Sequence, residues 1–231
     1  MAEEEPKKRY KLNKGRMLKA LVQGHTLREL DELEDYFQEL ERKFETDKKK
    51  ISLRYEEAAS KSKLDREEEA DLAEYFSEEF QIIEDTFLKT FRYSMIVTIC
   101  SVIEVALNDL CRYIRHLKKL SLSLEELRDD GLRRAETYLT KVCTIDFSST
   151  AHEWNEIIKL SLIRNCIVHA QGNVNDMKSP CKIQNIIGNT RHISLKNDKY
   201  IILEREFIVT SILNSKKLLN EVYDKAFDTF N

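Results

Sequence analysis

Apolar residues recur every seven positions near the start of the chain: Leu30, Phe37, Phe44 and Ile51, with Leu33 and Leu40 filling the alternate seam. Asp47 and Arg54 interrupt the seam towards its end. This spacing predicts a long amphipathic helix with a coiled-coil-like stripe, and Thr26 with Glu29 has the form of a capping box that would start it. Ala59-Ser60-Lys61-Ser62-Lys63 reads as a turn. Leu64, Asp65 and Glu68 then read as staple, N-cap and capping-box partner of a second helix carrying Ala73, Phe76, Phe80, Ile83 and Phe87. Residues 25–89 are thus expected to form an antiparallel helical hairpin arm.

The stretch from Phe91 to about Leu117 is apolar almost all round, the mark of a helix at the centre of a bundle. One line on it is polar: Ser94, Thr98, Ser101, Glu104 and Asn108. A carboxylate buried there needs a partner. Arg164 is one candidate; water or a hydroxyl at the helix surface is the other. Ser123 with Glu126 predicts a short helix before Gly131, and Leu132, Ala135, Leu139 and Val142 mark the stripe of another. Thr150 with Glu153 reads as a capping box opening a helix that ends before Gly172, followed by a polar loop from Asn173 to Pro180. Residues 192–196 and 200–203 read as two short strands around Asn197-Asp198. Phe207, Ile208, Ile212, Leu213, Leu218, Leu219, Val222 and Tyr223 mark a terminal amphipathic helix. The expected fold is all-α: a helical bundle over 90–231 with an N-terminal long-helix arm and a small inserted β-hairpin.

Composition agrees with long helices, since the 231 residues include only 5 Gly and 2 Pro. The formal charge is 38 − 41 = −3, so any nucleic-acid surface must be local. Residues 1–24 read as a basic flexible tail, either a solvated end or an arm that touches phosphates. The 5 cysteines are widely spaced, without a CxxC pair, and Cys100 and Cys166 fall inside apolar helical runs as buried thiols. The N-terminus lacks an apolar leader segment, and the run from Met95 to Leu110 is too short and too interrupted to span a bilayer. A cytoplasmic protein without membrane association is expected.

On the helix ending before Gly172, a rotation of about 100° per residue puts Leu160, Ile163, Ile167 and Ala170 on a core stripe. Ser161, Arg164, Asn165 and His169 fall on the opposite side, with Val168 among them. Of the five histidines only His169 has an arginine five residues upstream; His25, His116, His152 and His192 do not. An imidazole can take or give a proton near neutral pH, a guanidinium can hold phosphate oxygens as charge builds up, and Asn165 can bind phosphate or orient the ring. No Asp/Glu/His ligand cluster adjoins these residues in the sequence, and no cofactor or metal is expected.

Arg164-Asn165, three residues and His169 resemble the signature of the HEPN superfamily. The resemblance extends to the order of elements over residues 90–230: a central helix with Ser101 and Glu104, a segment with Gly131-Leu132 and Tyr138-Leu139, then Trp154 and the Arg164/His169 helix, a strand pair and a terminal helix. It implies a metal-independent endoribonuclease of toxin or anti-phage defence type. The reaction would be attack of the RNA 2′-hydroxyl on its own phosphate, leaving a 2′,3′-cyclic phosphate and a free 5′-hydroxyl. Arg164, Asn165 and His169 would be catalytic, with Ser101 and Glu104 in support. Where toxins of this superfamily under nucleotidyltransferase control often carry a Tyr two residues after the His, this chain has Gln171.

Arg164 and His169 lie about 140° apart on the wheel, so one helix cannot easily wrap a phosphate with both. Two copies about a two-fold axis would bring two of each into one groove, and homodimerisation is what the resemblance implies. Arg112, Arg115, Lys118, Arg133 and Arg134 are candidates for contacting RNA. An antitoxin, an inhibitor or a phage-derived activator are the protein partners such systems imply. The alternative is a non-catalytic helical module that binds a protein or nucleotide partner, with Arg164 and His169 reduced to interface hydrogen bonds.

Overall fold

A computed structural model describes residues 14–61, 65–129 and 131–228. The chain is an all-α bundle with one two-stranded sheet. The first helix, α1 (Lys14–Lys61), pairs antiparallel with α2 (Arg66–Gln81) through Arg54–Glu79 at 2.9 Å, and Lys48–Glu84 at 2.6 Å continues the pairing just beyond α2. Asp65 caps α2 as expected: its side chain accepts from the amides of Glu67 and Glu68, while Glu68 reaches back to the Asp65 amide.

The start of α1 differs from expectation. Thr26 is buried inside the helix, its hydroxyl donating to the Val22 carbonyl at 3.2 Å and lying 3.2 Å from the Tyr223 hydroxyl. The residues before it are helical because they pack on the last helix, with Lys19–Asp224 at 3.0 Å and Gln23–Asn220 at 2.9 Å. Tertiary contact therefore overrides the local start signal. Residues 14–24, expected as tail, belong to this helix; the acidic tip with Lys7, Lys8, Arg9 and Lys11, and the turn residues Ser62, Lys63 and Leu64, lie outside the described residues.

The expected seam is buried at Leu30, Phe37 and Ile51. Leu30 and Phe37 join the main core, where Phe37 stacks on Phe91 with centroids 5.6 Å apart. Ile51 instead joins a small separate cluster with Phe76, Ile83 and Leu88. Only the distal half of the hairpin stands apart from the bundle.

No turn separates the arm from the bundle. From α2 the chain passes through a π-helical segment, Ile82–Leu88, directly into α3 (Lys89–Lys118). The combined helix, Arg66–Lys118, is long and apolar enough to cross a membrane, so length does not set it apart from a membrane span; 56% of its apolar window is buried inside the protein. It is the core helix of the bundle: Met95, Ile96, Ile99, Ile103, Leu107, Leu110 and Ile114 are all buried.

Around α3 stand α4 (Gly131–Thr137, continued by a π segment Tyr138–Val142), α5 (Ala151–Ala170) and α7 (Arg205–Asp228). The capping box expected before α5 is absent. The Thr150 hydroxyl donates to the Phe147 carbonyl, and Glu153 is buried and pairs with Lys217 on α7. After α5, the segment expected as loop holds a buried Val174 and runs into a further helix, α6 (Pro180–Gly188). The signals for α6 were present: Pro at its first position and Ile183 and Ile187 one turn apart.

Strands β1 (Ile193–Lys196) and β2 (Tyr200–Leu203) pair antiparallel, with Asn197 and Asp198 both left-handed in the turn. The hairpin seals the end of α5. Gly172, at φ +77°, donates to the Cys166 carbonyl at 3.1 Å and accepts from the Ile201 amide at 2.9 Å. The Tyr93 hydroxyl donates to the Ile201 carbonyl at 2.5 Å, and burial pushes that phenol well above its ordinary range. A methyl at 172 would lie 2.8 Å from Tyr93 Cζ in a left-handed backbone. Gly172→Ala is therefore expected to cost about 2–4 kcal/mol, a visible fall in the urea midpoint, combining strain and overpacking; an unchanged midpoint would contradict the closure described.

Candidate functional site

The expected Glu104–Arg164 pair is present. Arg164 Nη2 donates to Glu104 Oε2 at 3.5 Å, and Nη1 donates to Asn165 Oδ1 at 3.0 Å. Glu104 comes from the middle of α3 and Arg164 from the second half of α5. The side chains of the pair are 28% and 30% exposed, so it lies at the rim of the core. Arg164 Nε is buried with no partner. The guanidinium is thus fixed by two acceptors, and each terminal nitrogen retains a further N–H.

The faces of α5 fall as the wheel requires. Leu160, Ile163 and Ile167 are buried, Arg164 and Asn165 half-buried, and His169 exposed. His169 makes no hydrogen bond or ion pair among the described residues and stands one turn beyond Asn165. Ser101 is exposed on the same line of α3 as Glu104, without a hydrogen bond to Arg164 or His169. Two exposed apolar residues border the site, Val105 at 57% and Val168 at 49%.

Behind this face Cys100 and Cys166 are buried in the apolar core. Burial pushes the Cys100 thiol up to about 12 and the Cys166 thiol up to about 11, so neither supplies a thiolate near neutral pH. Helix α4 begins against the carboxylate, since a Cβ at Gly131 (φ +54°) would lie 3.6 Å from Glu104 Oε1.

The candidate RNA-contacting cations divide. Arg112 is committed to Asp109 at 3.0 Å and Glu125 at 3.4 Å, and Arg115 donates to the Leu120 and Ser121 carbonyls beyond α3. Both these and Lys118 lie two turns or more along α3 from Glu104. Arg133 is nearer: with Ser161 and Asn165 it lines a cleft of about 140 Å³ between α4 and α5. Arg134 also lies on α4, its Nε buried and unpartnered. Asn108, on the polar line but without a role assigned from sequence, has a buried, unpartnered Oδ1.

Three larger clefts contain neither Arg164 nor His169, one of them of about 420 Å³ between α1 and α2 around Phe76. A second of about 530 Å³ adjoins Trp154 and Phe147. The third, of about 470 Å³, opens on the core side of α5, between His152, Lys159, Arg191 and His192. At its rim His192, Glu204 and Glu206 hold potential metal-ligand atoms within 4.8 Å of one another; all three are exposed, and His192 already pairs with Glu204 at 2.9 Å. None of these clefts, nor the small one between α4 and α5, is lined by Arg164 or His169.

No protein-family model matches this chain, and no curated protein or solved structure matches it.

Glu104 reaches the candidate site through its contact with Arg164. A partly exposed pair of this kind contributes little to folding. Glu104→Gln is expected to change the unfolding free energy by less than about 1 kcal/mol while lowering any activity of the site at least tenfold. Full activity in a folded Glu104→Gln protein would remove the role.

Proposed function

We propose that this protein is a metal-independent endoribonuclease of the HEPN type, acting as a homodimer whose active site is shared between two copies. The observation that carries the reading is the Glu104–Arg164–Asn165 network, which fixes a guanidinium on the same face of α5 as the unpartnered His169. A fixed guanidinium with free N–H groups is what a site for a charged phosphate uses, and Glu104 and Asn165 hold this one in place.

The reaction follows from these groups. One His169 accepts the proton of a ribose 2′-hydroxyl, and O2′ attacks the adjacent phosphorus. Arg164 donates to the non-bridging oxygens as negative charge accumulates, with Asn165 holding the guanidinium plane. The bond to O5′ breaks, and the His169 of the second copy delivers a proton to it. The products are a 2′,3′-cyclic phosphate and a 5′-hydroxyl, with no net redox change and no metal required.

The second copy is supported by three features. Arg164 and His169 diverge by about 140° around the helix. His169 is exposed at the end of the face, and Val105 and Val168 give it an exposed apolar border that a two-fold partner would cover. A role as a toxin or defence effector, held in check by an antitoxin, an inhibitor or an activator requirement, accompanies this reading. The competing reading is a helical binding module, in which the Arg164 network only stabilises an interface.

Purified protein in EDTA is expected to cut single-stranded RNA to cyclic-phosphate ends. Arg164→Ala and His169→Ala are each expected to lose at least about a hundredfold in kcat while keeping the solution mass of a dimer. Equal behaviour of all three proteins would favour the binding module.

A further inference from the structure

No step of the proposed reaction uses the cleft of about 470 Å³ on the core side of α5. Its volume is that of a small-molecule site. The floor is apolar: Ile157, Leu160 and Ile163 of α5 and Phe207 of α7 line it, and all four are buried. The polar lining comes from three separate elements, namely α5, the segment between α6 and β1, and α7. Cations strung along one helix face are ordinarily a solvated surface. Polar groups converging from three elements on one apolar floor are instead the arrangement of a binding pocket.

These polar groups divide by what they already hold. The side chains of Asn189, Thr190 and Ser211 each donate to a main-chain carbonyl four residues earlier. Lys159 pairs with Glu156 at 2.7 Å, and His192 Nδ1 lies 2.9 Å from Glu204. Arg191 differs: its side chain makes no hydrogen bond or ion pair among the described residues, and the same holds for Thr210 and Asn214 across the cleft. With Lys159 compensated by Glu156, Arg191 is the one permanent cation of this lining without a counter-charge among the described residues. The backbone on either side of it is already ordered. Thr190 is held through its hydroxyl on the Ile186 carbonyl at 2.7 Å, and the His192 carbonyl accepts from the Glu204 amide at 3.0 Å. Such preorganisation lowers the cost of binding.

We propose that this cleft binds a small organic carboxylate, a monoanion whose carboxylate meets Arg191 and whose apolar body lies on Ile157, Leu160, Ile163 and Phe207. A guanidinium takes a carboxylate through two parallel N–H···O bonds. One uncompensated charge matches a monoanion. A phosphate dianion would bring a second negative charge into a lining that already holds the Glu156 carboxylate. Thr210 and Asn214 are left to hydrogen-bond a polar substituent on the body. The site is separate from the Arg164–His169 face and does not rest on the ribonuclease reading.

The test uses the full chain and calorimetric titration with 2-naphthoate, beside acetate, 2-naphthol and 2-naphthyl phosphate. Saturable binding of 2-naphthoate is expected, about tenfold or more tighter than acetate, which lacks the apolar body, and than 2-naphthol, which lacks the charge. The phosphate ester is expected to bind more weakly than the carboxylate. Arg191→Gln is expected to weaken 2-naphthoate binding about tenfold. Arg191→Lys should recover only part of that loss, since an ammonium keeps the charge without the fork. Arg128→Gln, which removes an exposed arginine outside the cleft, should bind within about twofold of wild type. No saturable binding of 2-naphthoate, unchanged binding in folded Arg191→Gln, or an equal loss in Arg128→Gln would overturn the assignment. Acetate binding as tightly as 2-naphthoate would remove the role of the floor, and tighter binding of the phosphate ester would refute the monoanion.

Discussion

The organisation of this protein depends on one helix being enclosed. Along α3, residues from Met95 to Ile114 are buried against α1, α4, α5 and α7, so every neighbouring element takes its position from that surface. Enclosure leaves one line for polar groups, running through Ser94, Thr98, Ser101, Glu104 and Asn108. Ser94 and Thr98 satisfy themselves by bonding to carbonyls of their own helix. Glu104 cannot do so, and it meets Arg164 instead. The contact that makes the carboxylate tolerable at the core's rim is therefore the same contact that fixes the guanidinium of the candidate site.

A second polar contact ties the arm to this frame. Arg92 binds Glu41 through two nitrogens, each at 2.8 Å, and donates from the third to the Leu203 carbonyl at 2.9 Å. Glu41 is 3% exposed, so the pair is paired and hydrogen-bonded on all sides, as a buried charge must be. One guanidinium thus joins α1, α3 and β2. Because α2 also continues into α3 without a turn, displacement of the arm would act on the central helix directly. The hairpin, through Gly172 and Tyr93, closes the end of α5 from the same side.

Much of this was legible in the sequence because it depends on period and local chemistry. The enclosed helix, the polar line on it, the two faces of α5, the cap at Asp65 and the hairpin at Asn197-Asp198 all follow from short-range pattern. The pairing of Glu104 with Arg164 was one of two readings the sequence allowed, the other being water or a hydroxyl at the helix surface. The misses depend on long-range contact. Thr26 and Thr150 have the form of helix starts, but their hydroxyls bond to nearby carbonyls while packing on α7, and the Glu153–Lys217 pair, set the helix ends. Nothing near Glu41 in the sequence announces its partner Arg92, 51 residues on. Asn108 was visible on the polar line, yet its lack of a partner appears only in three dimensions.

On the proposed reading the site is one half of a site shared by two copies. Its arginine is held in place, its histidine is exposed and unpartnered, the two diverge around one helix, and exposed valines border them. Sharing between two copies turns each of these features into a consequence of one arrangement. The most direct measurement is the activity of mixed dimers, co-refolded from wild type and His169→Ala at varied ratios, on a single-stranded RNA. If each site needs the imidazoles of both copies, activity falls as the square of the wild-type fraction. A fall in simple proportion to that fraction would mean that each copy cuts alone, and would contradict the shared site.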